Sequence, residues 1–128
     1  MVFRKTLHQI VDQERKFKVS SAITLRDQGQ ERSYFGARQV EAWFAMWFEE
    51  AFDNSRLEID QSVSSPRQTF AAFTFYGTHQ AAFLGIPATG RMVCLPMVLL
   101  VEAAECQIQT ISLYYNSGTL LRQLGFGP

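Results

Sequence analysis

Between positions 37 and 52 the chain reads ARQVEAWFAMWFEEAF, and Val40, Trp43, Phe44, Trp47, Phe48 and Ala51 recur at the spacing of one helix face. Gln39, Glu41, Glu49, Glu50 and Asp53 lie mostly off that stripe. The pattern predicts an amphipathic helix over 37–52 that buries an aromatic face and ends at Asp53-Asn54-Ser55. Elsewhere the period is two. FKVSSAITL (17–25) alternates with Phe17, Val19, Ile23 and Leu25 on one side, RDQGQER is a polar turn, and SYF (33–35) is a short returning strand. Four more strands follow at 57–64, 68–76, 91–104 and 107–115, joined by short turns. Thr6 caps a short helix, TLHQIVDQER, near the start. The tail NSGTLLRQLGFGP offers Asn116 or Ser117 as the cap of one or two turns closed by Gly125.

Helices first and strands afterwards predict an α+β fold with a largely antiparallel sheet. Pro96, inside the strand over 91–104, calls for an edge position or a bulge, where its missing N–H does no harm. Bends of that kind curl a sheet. A sheet curled strongly enough does not fully meet the helix beside it, and the gap becomes an apolar pocket.

The totals narrow the class. The 128 residues make one domain, 1–128, and 47% hydrophobic content with eleven Phe suits an interior lined with bulky groups. Twelve basic residues balance twelve acidic ones, and the longest basic patch is RKFK at 15–18, too short a footprint for nucleic acid. Cys94 and Cys106 are not in a metal-ligand spacing and read as two buried thiols of a reducing, cytoplasmic protein. The N-terminal MVFRKTLHQIVDQ has no apolar run of the signal type. VCLPMVLLVEAA is too short and too interrupted to span a bilayer, so no membrane partner is expected.

One stretch carries more specific residues than a turn requires. GTHQAAFLGIPATGR (77–91) separates two apolar strands that Asn-Gly alone would join. Gly85 and Gly90 frame Ile86-Pro87, permitting positive φ around a preset turn. Such a loop turns tightly while inserting Phe83 and Leu84 at the rim of the interior, with His79 at its entrance.

These residues resemble the loop GTH-x-G-x-F-x-G-I-P-P-T-G-R of the SnoaL-like polyketide cyclase (ester cyclase) family, a member of the nuclear transport factor 2-like group. LLRQLGFGP (120–128) is similar to the family's closing L-L-x-Q-L-G segment, and Ala51-Phe52-Asp53-Asn54 before LEID matches its A-F-P-D more weakly. The matches fall in family order over residues 17–128. The resemblance implies a cone, with a strongly curved sheet wrapped on helices around an apolar cavity, and a homodimer formed through the outer sheet face. It implies aldol chemistry without metal or cofactor, in which an acidic or histidine residue near the end of the last strand removes a proton alpha to a carbonyl. Against that pattern, Asn116 stands at the carboxylate position, and IQTISLYY contains no Asp, Glu or His. An amide donates and accepts hydrogen bonds but is no base. Ala88 replaces the second loop proline.

The remaining candidates each carry two readings. His79 is the titratable group suited to proton transfer, or it bonds a backbone group to hold the loop. Trp43 and Trp47, one turn apart, form a ligand platform or plain core. Tyr76 and Tyr114 polarise a substrate carbonyl if they face the cavity, and one residue of register reverses that facing. Asn116 is a donor or an N-cap. Glu102, Glu105, Asp27, Asp53 and Asp60 read as solvated turn residues, and His8 as a surface residue. The expectation is a protein that binds a small hydrophobic carbonyl compound and acts as a cofactor-free cyclase or isomerase. His79 is its base, Tyr114 and Asn116 are donors, and Trp43, Trp47, Tyr76 and Phe83 are ligand contacts. The alternative is a non-catalytic binding or assembly module on the same cone.

Overall fold

In the computed structural model, which describes residues 2–10 and 18–126, the elements run α1 (Val2–Ile10), β1 (Lys18–Asp27), β2 (Arg32–Phe35), α2 (Gly36–Ala45), β3 (Phe52–Ser64), β4 (Gln68–His79), β5 (Met92–Ala104), β6 (Gln107–Tyr115) and α3 (Ser117–Gln123). Val11, Phe17 and the side chain of His8 fall outside the described residues. The six strands form one curved sheet in the order β2-β1-β6-β5-β4-β3, antiparallel except for the β1–β6 pair. Register shifts interrupt β1–β6, β3–β4 and β5–β6, and each extra residue adds local bend and twist.

The amphipathic stripe forms the helix it predicts, but the helical stretch ends at Glu50, and Phe52 with Asp53-Asn54-Ser55, expected to end the helix, opens strand β3 instead. α2 passes into a π-helical turn, Met46–Glu50, closed by the Ala51 amide donating to Met46 O at 2.8 Å. Val40, Trp43, Phe44, Trp47 and Ala51 are buried, whereas Glu49 and Glu50 are exposed. This aromatic face packs on the inner face of the sheet, where Phe73, Phe75, Leu95, Ile111 and Leu113 alternate inward. β3 and β4 extend beyond the spans expected from sequence, because β3 begins directly at Phe52 and pairs it with His79.

Pro96 sits where a donor is not needed. β6 ends opposite Met97, so the stretch of β5 before it has β4 on one side and no strand on the other. There the Gln123 side chain takes the place of a strand: the Cys94 amide donates to Oε1 at 2.8 Å, and Nε2 donates to Cys94 O at 2.7 Å. The closing LLRQLG segment thus docks through its glutamine. Gln123→Ala is expected to lower stability by about 1–2 kcal/mol, the net worth of two hydrogen bonds, read as a lower urea midpoint with unchanged slope.

The cysteines correct an expectation. Cys94 lies on the outer sheet face and Cys106 in the β5–β6 turn, and both are exposed free thiols rather than core residues. No helix among the described residues is long and apolar enough to cross a membrane.

Candidate functional site

Ile23, Leu25 and Asp27 share the inward face of β1, and the third of them is a carboxylate. Asp27 is only 1% exposed. Its Oδ2 accepts from Trp43 Nε1 at 3.1 Å and its Oδ1 from the Gln30 amide at 3.1 Å. Burial raises the carboxyl above the ordinary Asp range, and these donors, with the nearby Tyr115 hydroxyl, only partly offset that. The solvated-turn reading of Asp27 is therefore overturned; it holds for Glu105, while Asp53 and Asp60 are solvated but lie on strand β3 rather than in turns.

Tyr115 comes from the end of β6 and reaches inward beside Asp27. Its ring lies against Gly29 so closely that a Cβ there would fall 2.3 Å from it; the glycine of the β1–β2 turn is what admits the ring. Burial, and then the Asp27 charge, hold the phenol protonated well above its usual range. It is thus a donor at any physiological pH. Its hydroxyl is buried and makes no hydrogen bond of ordinary length among the described residues.

From Tyr115 the site continues through rings. Trp47 is fully buried, with centroids 5.4 Å from Tyr115, 5.6 Å from Trp43, 5.7 Å from Phe52 and Phe75, and 4.7 Å from Phe83. Among the described residues its Nε1 has no hydrogen-bond partner. Phe48 belongs to the same cluster, 5.5 Å from Phe75. It also lines a groove of about 100 Å³ together with Lys5, Thr6, Arg56 and Leu57.

His79 closes the far end. It is fully buried, its ring 5.6 Å from Phe52 and 6.5 Å from Phe83. The Thr89 amide donates to Nδ1 at 3.2 Å, and Thr89 Oγ1 lies 2.9 Å from the same atom. A backbone N–H only donates, so Nδ1 is an acceptor and the hydrogen of the neutral ring sits on Nε2. Thr89 Oγ1 in turn accepts from the Arg91 amide at 3.2 Å, while the His79 amide donates to Arg91 O and the Gly90 amide to His79 O. The histidine locks the base of the 80–90 loop. Nε2–H is buried without a hydrogen-bond partner among the described residues.

The structure thus brings Trp43, Trp47 and Phe83 together, with His79 at their margin, and leaves three other candidates outside. Tyr76 and Tyr114 are on the outer sheet face; Tyr76 stacks under Arg56 at 4.3 Å, and Tyr114 is 44% exposed. The inward phenol is the next residue, Tyr115. Asn116 is exposed and caps α3, its Oδ1 accepting from the Thr119 amide at 3.0 Å. Among the described residues no three His, Cys, Asp or Glu side chains converge to hold a metal ion.

The SnoaL-like polyketide cyclase family model matches residues 11–124. The chain belongs to that family. No curated protein matches it. Among solved structures, a candidate SnoaL-like polyketide cyclase from Jannaschia sp. CCS1 superimposes with a TM-score of 0.77 at 19% identity, over 87% of this chain and 76% of that one. AclR of Streptomyces galilaeus, a candidate hydroxylase, gives 0.71 at 20% over 86% and 80%. A Catenulispora acidiphila protein with a ketosteroid isomerase-like fold, solved with trimethylamine, gives 0.69 at 17% over 85% and 78%. The SnoaL-like α+β cone expected from sequence is therefore the fold of this chain. Fold alone does not assign its chemistry.

Proposed function

We propose that this SnoaL-like protein binds a small hydrophobic carbonyl compound in its aromatic interior and removes a proton alpha to the carbonyl, as a cofactor-independent cyclase or isomerase, with Asp27 as the proton acceptor. The observation that carries this reading is a buried carboxyl, Asp27, raised by burial and set beside a neutral phenol, Tyr115. A carboxyl moved toward neutrality is a stronger base once ionised, and a neutral phenol stabilises the oxygen on which the enolate charge develops. The carboxylate missing from the end of β6 is supplied from the end of β1, whose Asp27 pairs with Leu113, two residues before Tyr115.

His79 is assigned the loop, not the proton. Its one basic nitrogen is already occupied by the Thr89 amide and hydroxyl. Trp43 orients Asp27 through its indole N–H. The test is a titration with a panel of aromatic ketones and esters, binding and product formation followed together. Saturable binding with conversion supports the enzyme; saturable binding without conversion supports the non-catalytic module instead.

The outer sheet face supports a homodimer. Met92 is 80% exposed there, and Phe70, Val98, Leu100 and Tyr114 share the same face in register. Tyr114→Arg is expected to shift the chain to a monomer in sedimentation equilibrium; an unchanged mass contradicts this placement.

A further inference from the structure

Among the described residues, two buried donors without partners flank an apolar ring, and a third lies one ring beyond. Trp47 Nε1–H and His79 Nε2–H belong to fully buried rings whose centroids lie 4.7 and 6.5 Å from that of Phe83, and the Tyr115 hydroxyl belongs to the ring 5.4 Å from Trp47. A phenyl side chain offers no acceptor of matching strength, and each buried donor left unpaired costs about 1–3 kcal/mol. Native proteins keep such groups where something else pairs with them.

The way Phe83 is held is equally unusual. The Phe83 amide donates to Ile86 O at 3.0 Å and the Ile86 amide to Phe83 O at 2.9 Å, closing a two-residue turn on Leu84 and Gly85, both with positive φ. Ala82, Leu84, Gly85, Pro87 and Ala88 are exposed, and Phe83 is the one fully buried side chain between positions 80 and 88. A segment with few buried contacts opens at low free energy. Its two ends are fixed instead: the Gln80 and Ala81 amides donate to Ala51 O, and the His79–Thr89 pair holds the other end. The turn is a small rigid unit that carries one ring into the interior.

We propose that Phe83 is an exchangeable plug, displaced by a flat aromatic ligand whose oxygen acceptors take the hydrogens of Trp47 Nε1 and His79 Nε2. The plug's ring keeps the aromatic interior closed until a ligand supplies both a ring and the acceptors that Phe83 lacks. Trp47 and His79 are then the residues that select an oxygen-bearing aromatic over a plain hydrocarbon. The inference rests on the proposed function only in taking the interior as the ligand site, and its readout is affinity, which needs no turnover.

The test compares a hydroxyacetonaphthone with ethylnaphthalene by titration calorimetry. Phe83→Ala is expected to bind the ketone about tenfold tighter than the unaltered chain, because the plug no longer competes. Adding Trp47→Phe to that variant is expected to weaken the ketone about tenfold while leaving the hydrocarbon within about twofold. Ketone binding by Phe83→Ala that is equal, weaker or absent overturns the plug. An equal loss for both probes on Trp47→Phe overturns the donor role, as does no loss for either. Should Phe83→Ala not fold, the unaltered protein decides: saturating ketone must speed amide exchange at Phe83 and Ile86, and slower or unchanged exchange there contradicts the proposal. Tighter ketone binding without conversion would refute the catalytic reading and leave the plug standing; conversion with no gain from Phe83→Ala would do the reverse.

Discussion

Replacing Asp27 with Asn is expected to lower turnover by roughly 10²–10⁴-fold, the usual worth of a positioned general base, without unfolding the protein. Asn keeps the volume and one acceptor, so either Trp43 Nε1 or the Gln30 amide loses its hydrogen bond. That loss, about 1 kcal/mol, is opposed by the removal of a buried charge. The pH dependence of stability isolates the charge. Because the native carboxyl is raised above its ordinary value of 3.8, the folded state holds the proton more tightly than the unfolded chain does. Stability therefore falls as pH rises from the unfolded value through the native one. The unaltered chain is expected to lose stability relative to Asp27→Asn by up to about 1.4 kcal/mol per pH unit across that window, and then level off. A constant difference between the two proteins would mean that Asp27 is not the raised group.

His79→Ala is expected to cost about 3 kcal/mol, with a melting temperature lower by on the order of 10 °C. The change removes a fully buried ring packed on Phe52 and Phe83, and it leaves the Thr89 amide without its acceptor. The same substitution would also stop turnover if His79 were the base. The two roles separate at a temperature where the variant is folded. A loop lock with a ligand-facing N–H predicts weakened affinity and retained turnover at saturating ligand. A base predicts none.

Much of the fold was legible because its signals are periodic. The stripe Val40, Trp43, Phe44, Trp47 is a helix face in any context, and the alternating runs after it are strands whose partners follow from their order. The glycine pair and Ile86-Pro87 announced a tight loop that inserts Phe83, but Leu84, expected to enter beside it, is exposed. The site was less legible, and the reasons differ by residue. Asp27 continues the inward series Ile23, Leu25, so its burial could have been read from period two, but its place at the head of a polar turn argued for solvent. Tyr114 and Tyr115 are adjacent, and only the register of β6 separates them. The polar partners Thr110 and Ser112 mark the outer face, while Ile111 and Leu113 mark the inner one. The donor that fixes the His79 tautomer, Thr89, lies ten residues away, across a loop whose closure no local pattern encodes. The buried unpaired N–H of Trp47 is a property of packing alone.

The measurement that bears most directly on Asp27 as the base is hydrogen–deuterium exchange at the carbon alpha to the carbonyl of a bound aryl ketone, followed by NMR in heavy water as a function of pH, with the unaltered chain and Asp27→Asn side by side. If Asp27 takes the proton, the unaltered chain exchanges that position, its rate rises with pH through a value above the ordinary Asp range, and Asp27→Asn shows only the solvent rate. Equal exchange in both proteins, or saturable binding with no exchange in either, contradicts it.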